Sequence, residues 1–357
     1  MRKLRRNRNK KQIRVVLAVA ICLLGVMTAG YAAFTTNVSL NAKGNVVHQT
    51  TAQKLIRDAL DSSSTNDGLY QDTTEEGRYV YRGANPNNYI CLEALSSGST
   101  CSSDNIYRII SVETDGTLKV IKNVPLETGM AFDTANARYD ATEGAYCNSA
   151  NGCKLWGSST TTLNSGGTTA VTQLPRELNG ALYNLPATEA SLNTYLNGDY
   201  YQSLAFKDLI ATHLFNVGLV EMTGSLSNNV SQEKANTWRG KIGLMTVTDY
   251  IKANSDMTNC GTVSTSNTNN TTCKDTNWIL TGNNGNIVWI ISPLLNGNSA
   301  LVWLIYSYGF SLSNGSAYQN YMARPVFYLP STIEIDGSGT NNSSIYKITN
   351  LSTYISS

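Results

Sequence analysis

Histidine is nearly missing from this chain: 357 residues hold two, His48 and His213. A Ser-His-Asp or Cys-His centre needs an imidazole beside its nucleophile. That role would fall on His213, which sits in an apolar pattern and reads as a core or surface histidine. There is no HExxH, P-loop or GxGxxG, so the zinc-protease, nucleotide-phosphate and dinucleotide signatures are absent. No Cys-x2-Cys spacing exists, and two histidines give a metal site little to use. The sequence therefore implies no cofactor and no metal. Charge is missing locally: between Asn286 and Ala323 there is no Lys, Arg, Asp or Glu. A domain surface normally carries charge. This stretch is thus either nearly all core or partly an uncharged face that binds something.

The overall charge of +2 is misleading, because eight of the 27 basic residues lie in residues 1–33, which hold no acid. The remainder has 19 basic against 25 acidic residues, a net of −6. A mildly acidic body argues against nucleic-acid binding. The basic arm belongs to membrane targeting. Residues 15–34 form an apolar run long enough to span a bilayer, yet ending in the small residues of a signal peptide. Residues 1–33 are therefore read as a signal peptide or a membrane anchor. Of seven cysteines, Cys22 lies in this run. The other six fall in three close pairs, Cys91/Cys101, Cys147/Cys153 and Cys260/Cys273, as disulfides of an exported chain would. Six cysteines allow fifteen pairings, and the clustering favours the three local ones.

Residues 47–62 have helical spacing, and 34–66 read as a stalk; packing of this helix on the main domain is the equal alternative. The main domain is expected over 67–340, with a polar tail at 341–357. Strands are expected at 78–82 and 89–92. A hairpin is expected from 106–112 and 118–122 around Asp115-Gly116. Residues 123–190 are a long polar region that needs tying down, which Trp156 and Cys147/Cys153 could do. Helices are expected at 191–204, capped by Ser191, and at 206–215. A strand at 241–247 leads into a short helix capped by Thr246 or Thr248. A last strand is expected at 332–335. Glu233 and Asp249 are an acidic pair of the kind glycoside hydrolysis uses, but the sequence does not place them together.

Two resemblances add to this. The segment GYAAFTTNVSLNAKGN (30–45) resembles the signal-peptide ends of Gram-positive biofilm-fibre and camelysin-type proteins, which implies cleavage between Ala33 and Phe34. An uncleaved anchor is the competing reading, and both put the chain beyond residue 34 outside the cytoplasm. The segments GRYVYRGANPNNYI (77–90), IYRIISVETDG (106–116), WRGKIGLMTVTDYIKA (238–253), WIISP (289–293) and ARPVFYL (323–329) resemble a group of surface proteins of gut Firmicutes. These look like C-type-lectin-like domains in the branch of the formylglycine-generating enzyme. The resemblance implies an α+β, C-type-lectin-like fold of short mixed strands, two helices and long loops. The enzyme branch uses a reactive cysteine pair with copper. Here each domain cysteine has a near neighbour in a polar loop, so the binding branch fits better. That branch includes the variable proteins of diversity-generating retroelements. Residues 294–321 consist mostly of the residues that adenine-directed mutagenesis of Asn codons yields, with Trp303 and Gln319 as scaffold exceptions.

Within 287–329, Trp289, Trp303, Arg324, Pro325 and Phe327 read as scaffold, Arg324 as a fork of donors tying several loops. From 301 to 308 both alternating faces are apolar, which a strand covered on both sides explains; so does one face left open. The expected ligand contacts are Tyr306, Tyr308, Phe310, Asn314, Tyr318, Asn320 and Tyr321. The function these features imply is cell-surface or secreted binding of a protein or glycan ligand on a cell. The alternatives are a structural subunit of an extracellular matrix or fibre and, well behind, a formylglycine-generating-type or carbohydrate-active enzyme.

Overall fold

Two apolar runs joined by an Asp-Gly turn build the centre of the main sheet. Strands Ile106–Val112 and Leu118–Lys122 pair antiparallel. Asp115 Oδ1 accepts from the Thr117 amide (2.9 Å) and hydroxyl (2.7 Å), and Gly116 takes a φ of +82°, which glycine tolerates at no steric cost. The computed structural model describes residues 50–61, 67–95, 99–134, 147–148, 152–158, 162–164, 174–178, 181–183, 188–263, 271–295, 300–306, 311–340 and 344–355. They belong to one unit, Thr50–Ser357. The leader and most of the expected stalk lie outside the described residues. Among the described residues no helix is long and apolar enough to cross a membrane.

Ile106–Val112 shares one edge between two partners, Tyr89–Cys91 and Tyr79–Arg82. On its other side, Leu118–Lys122 passes the pairing on to Val326–Leu329, with Phe327 opposite Val120. Gly68–Gln71 flanks Tyr79–Arg82. Tyr346–Ile348 runs parallel to Tyr89–Cys91 and pairs with Ile335–Asp336, completing eight strands. Residues 341–357, expected as a polar tail, therefore hold a sheet strand with Tyr346, Ile348 and Leu351 buried. The last strand before it begins at Ile335 rather than 332. Helix Thr51–Asp61, expected within the stalk, packs on this domain: Ala52 and Leu55 are buried, and Lys54 Nζ donates to the carbonyl of Ile335 at 3.3 Å.

A second antiparallel sheet comes from the charge-free stretch: Ile287–Pro293, Leu301–Tyr306 and Ser311–Ser316. Rings link it to the main sheet. Tyr321 packs on Trp289 and Trp289 on Phe132; Phe132 meets Trp156, Trp156 meets Trp238, and Phe215 lies between Trp238 and Tyr328. Trp156 is buried, while most of the polar region around it lies outside the described residues. The disulfides are Cys91–Cys101, Cys147–Cys153 and Cys260–Cys273. The fold is mixed α+β, mostly strands with few helices. Its disulfides are those of a chain that folds in an oxidising, extracellular environment.

Three local expectations need correction. No helix covers 206–215: a 3-10 turn Lys207–Leu209 precedes strand His213–Asn216, which pairs with Asn236–Gly240. The helical spacing of apolar residues arose because two unlike elements bury rings, Phe206 against Tyr107 and Phe215 against Trp238. Residues 241–247 form no strand but one bridge, Gly243 to Val326. A Cβ at Gly243 would lie 2.6 Å from the Phe215 ring. The helical stretch 191–203, which contains a π turn at Leu196–Tyr200, starts at Ser191. Its cap comes from Asp133, whose Oδ1 accepts from the Ser191 amide (3.0 Å) and hydroxyl (2.9 Å). Helix Val247–Lys252 has Thr246 as its cap in a reciprocal box: Asp249 N–H to Thr246 Oγ1 at 3.1 Å, and Thr246 N–H to Asp249 Oδ2 at 2.9 Å.

Candidate functional site

Alternation along Leu301–Tyr306 decides which residues of the charge-free stretch can act together. Side chains of a strand point alternately to opposite faces. Trp303 lies opposite Asn314, so these share one face; Leu304 and Tyr306 share the other with Ser313. Residues 302–305 are buried on both faces, and only at Tyr306 does the strand come out, 40 % exposed.

Tyr306 is joined there by the turn after the third strand. Tyr318 is 44 % exposed and Tyr321 is partly buried. Burial, and then the nearby phenols of Tyr306 and Tyr318, push the Tyr321 pKa up, so both of these side chains lie within electrostatic reach of Tyr321. The Tyr321 hydroxyl donates to Gln319 Oε1 at 3.1 Å, and the same oxygen accepts from the Ser316 amide at 3.1 Å. Behind the ring, Trp289 packs edge-on at 4.9 Å. A Cβ at Gly315 would come within 2.9 Å of both Leu304 and Tyr321, so glycine lets Tyr321 lie down on the sheet.

Asn314 belongs to the Trp303 face and is partly buried there, so the strand separates it from Tyr306. Asn320 is exposed but alternates with Tyr321 on a short ladder with Met130–Ala131. Tyr308 and Phe310 lie outside the described residues. The scaffold positions are interior: Trp289, Trp303, Arg324, Pro325 and Phe327 are all buried. Trp289 Nε1 donates to the Met130 carbonyl at 2.9 Å and Trp303 Nε1 to that of Val220 at 3.1 Å. Arg324 donates to four oxygens: the carbonyls of Lys122 (3.0 Å), Ile279 (2.8 Å) and Asn123 (3.0 Å), and Asn283 Oδ1 (3.0 Å).

A second centre, made of buried charge, matches no motif that could be read along the chain. Asp249 accepts from Lys119 Nζ at 2.6 Å and Arg78 Nη2 at 3.2 Å. Arg78 also pairs with Asp72 and Glu113, and Lys252 with Asp72 and Glu75, which in turn holds Lys234. Burial would raise the Asp249 pKa, but Lys119 and Arg78 outweigh it and hold it at about 2. Glu233 lies against this network, accepting the Thr248 amide at 2.9 Å and the Thr248 hydroxyl. Burial, with the charge of Asp249, pushes its carboxyl up to about 7. Glu233 and Asp249 are thus brought close, but both are buried, and both Asp249 oxygens are committed to Arg78, Lys119 and the helix cap. This is a packing centre rather than a pair poised around a sugar. His213 stacks on Tyr328 at 3.7 Å. Cys91, Glu93 and Cys101 converge, but both sulfurs are joined in the disulfide, and Glu93 accepts from Asn105 at 2.6 Å.

Comparison with protein-family models, curated proteins and solved structures finds no match to this chain.

Proposed function

We propose that the protein is a secreted or cell-surface ligand-binding protein that captures a protein or glycan through the tyrosine cluster Tyr306, Tyr318 and Tyr321, carried on a C-type-lectin-like domain. The observation that supports this most is where exposed apolar surface gathers. Among the described residues five large apolar side chains are exposed, Tyr70, Val124, Met222, Tyr306 and Tyr318, and two of them lie within electrostatic reach of Tyr321. Tyrosine suits such a face because it offers large contact area at low entropic cost. The rigid backing of Trp289 and Gly315 holds Tyr321 in place before any ligand arrives. The three disulfides, the basic leader and the apolar run after it agree with export, with the leader either cleaved or kept as an anchor.

The test is a screen of the purified protein against glycans and cell-surface proteins, repeated with Tyr306→Ala/Tyr318→Ala. Capture that depends on both tyrosines supports the reading. Self-assembly into fibres on purification would favour the matrix-subunit alternative instead. The diversified-binder version has its own check: a template repeat and a reverse-transcriptase gene beside the coding sequence, without which it fails.

A further inference from the structure

A different surface of the domain carries buried positive charge that the tyrosine face does not use. Arg108, on the central strand of the main sheet, is 2 % exposed. Its guanidinium is held between the rings of Tyr89, 4.1 Å away, and Trp278, 4.5 Å away. Its Nε donates to Asn88 Oδ1 at 2.7 Å and its Nη2 to the Pro86 carbonyl at 3.1 Å. Its Nη1 donates to nothing among the described residues, and no carboxylate there pairs with it. Asp67, whose charge reaches it, is engaged with the amides of Ala84 and Asn85 at 2.7 and 3.2 Å.

Arg108 lines an open cavity of about 530 Å³, which falls in the size range of small-molecule sites. The remaining polar lining is neutral: Asn85, Tyr89, Asn123, Asn284 and Thr281. Gly282 forms part of the wall, and a Cβ there would lie 2.7 Å from Arg324 Nη2, so a second buried guanidinium stands directly behind it. Arg324, too, has only neutral oxygens as partners among the described residues. Between the lining residues Gly282 and Asn284, the fully buried Asn283 leaves its Nδ2 without a partner. Burial pulls Arg108 down to about 10; burial and then the like charge of Arg108 pull Arg324 down to about 9. Buried cations with no carboxylate in direct contact are costly, and an anion in the cavity would offset that cost.

We infer that this cavity binds the carboxylate of a small polyhydroxylated acid, a sugar acid of the uronic type. Arg108 takes the carboxylate, and the amides and the Thr281 hydroxyl take the ring hydroxyls. Arg–carboxylate pairing is among the stronger charge-assisted contacts.

The test is calorimetric titration of the full protein with sodium glucuronate, glucose and sodium acetate. Glucuronate is expected to bind about tenfold or more tightly than either of the others. Arg108→Gln should abolish the preference over glucose. Because that change could disturb folding, Val124→Trp, at an exposed lining position, provides a second arm: it should block glucuronate with no loss of thermal stability. Tyr306→Ala/Tyr318→Ala should leave glucuronate binding intact, so this site and the tyrosine face succeed or fail separately. Equal binding of glucose and glucuronate overturns the assignment, as does acetate binding as tightly as glucuronate. Glucuronate binding that survives both Arg108→Gln and Val124→Trp in folded protein also overturns it.

Discussion

The tyrosine face and the network around Asp249 reverse the usual placement of side chains. At the first, large rings stand at the surface in a stretch of chain without charge. At the second, Arg78, Lys119, Asp249 and Lys252 are almost completely buried, each within 3.2 Å of an opposite charge. A buried ion pair can be close to neutral in net stability, yet breaking it by removing one partner is expensive, because the other charge stays behind unpaired. Exposed rings at an edge contribute little to folding. The two regions should therefore respond oppositely to the same kind of truncation: the network in stability, the face in binding.

The largest contrast comes from Asp249→Ala. It strands Lys119 in the interior, takes one of the carboxylates that hold Arg78 and removes half of the capping box, so unfolding stability should fall by about 3–5 kcal/mol. Urea denaturation measures this, and a loss below about 1 kcal/mol would mean that water or neighbouring acids replace the carboxylate readily.

Next comes the dependence on pH. The folded-state pKa of Glu233 is raised from its ordinary 4.5 to about 7, so the folded protein holds this proton to higher pH than the unfolded chain does. Stability should fall as pH rises from 4.5 to about 7. Asp249 acts in the opposite sense. Its folded pKa is depressed, so its contribution is present above 3.8 and is lost as pH falls to about 2. Melting curves between pH 2 and 8 should show a maximum between these windows, and Glu233→Gln should flatten the upper slope. A slope unchanged in that variant would assign it to another group.

A smaller effect belongs to Thr246→Ala, which removes the other half of the box and should cost about 1 kcal/mol. The smallest stability change is expected at the tyrosine face. Tyr306→Ala or Tyr318→Ala should alter unfolding stability by less than about 0.5 kcal/mol, as at other exposed positions. A loss comparable to that of Thr246→Ala would show those rings to be part of the core.

Local chemistry explains what could be read from the sequence. The hairpin at 106–122 was legible because an Asp-Gly turn separates two apolar runs, and the helix cap was legible as Thr246 or Thr248, between which the capping box chooses Thr246. The three disulfides were legible from close spacing. Arg324 was legible as a donor fork, but its partners lie up to 202 positions away in the chain and only the fold names them. The network was hidden for the same reason: Asp72 and Lys252 are 180 positions apart. A hint existed in Arg78 directly before the strand Tyr79–Arg82 and in Lys119 flanked by Leu118 and Val120, charges set among buried strand residues. The tyrosine face was half legible. Composition singled out Tyr306, Tyr318 and Tyr321, but assigning Asn314 to its own face required the register, which sets it opposite Trp303.

The most direct measurement compares ligand capture and melting temperature for the natural protein and Tyr306→Ala/Tyr318→Ala in a single glycan and surface-protein screen. The account predicts that capture disappears while the melting temperature stays unchanged. Capture that persists in the double variant, or that disappears only together with the fold, would contradict it.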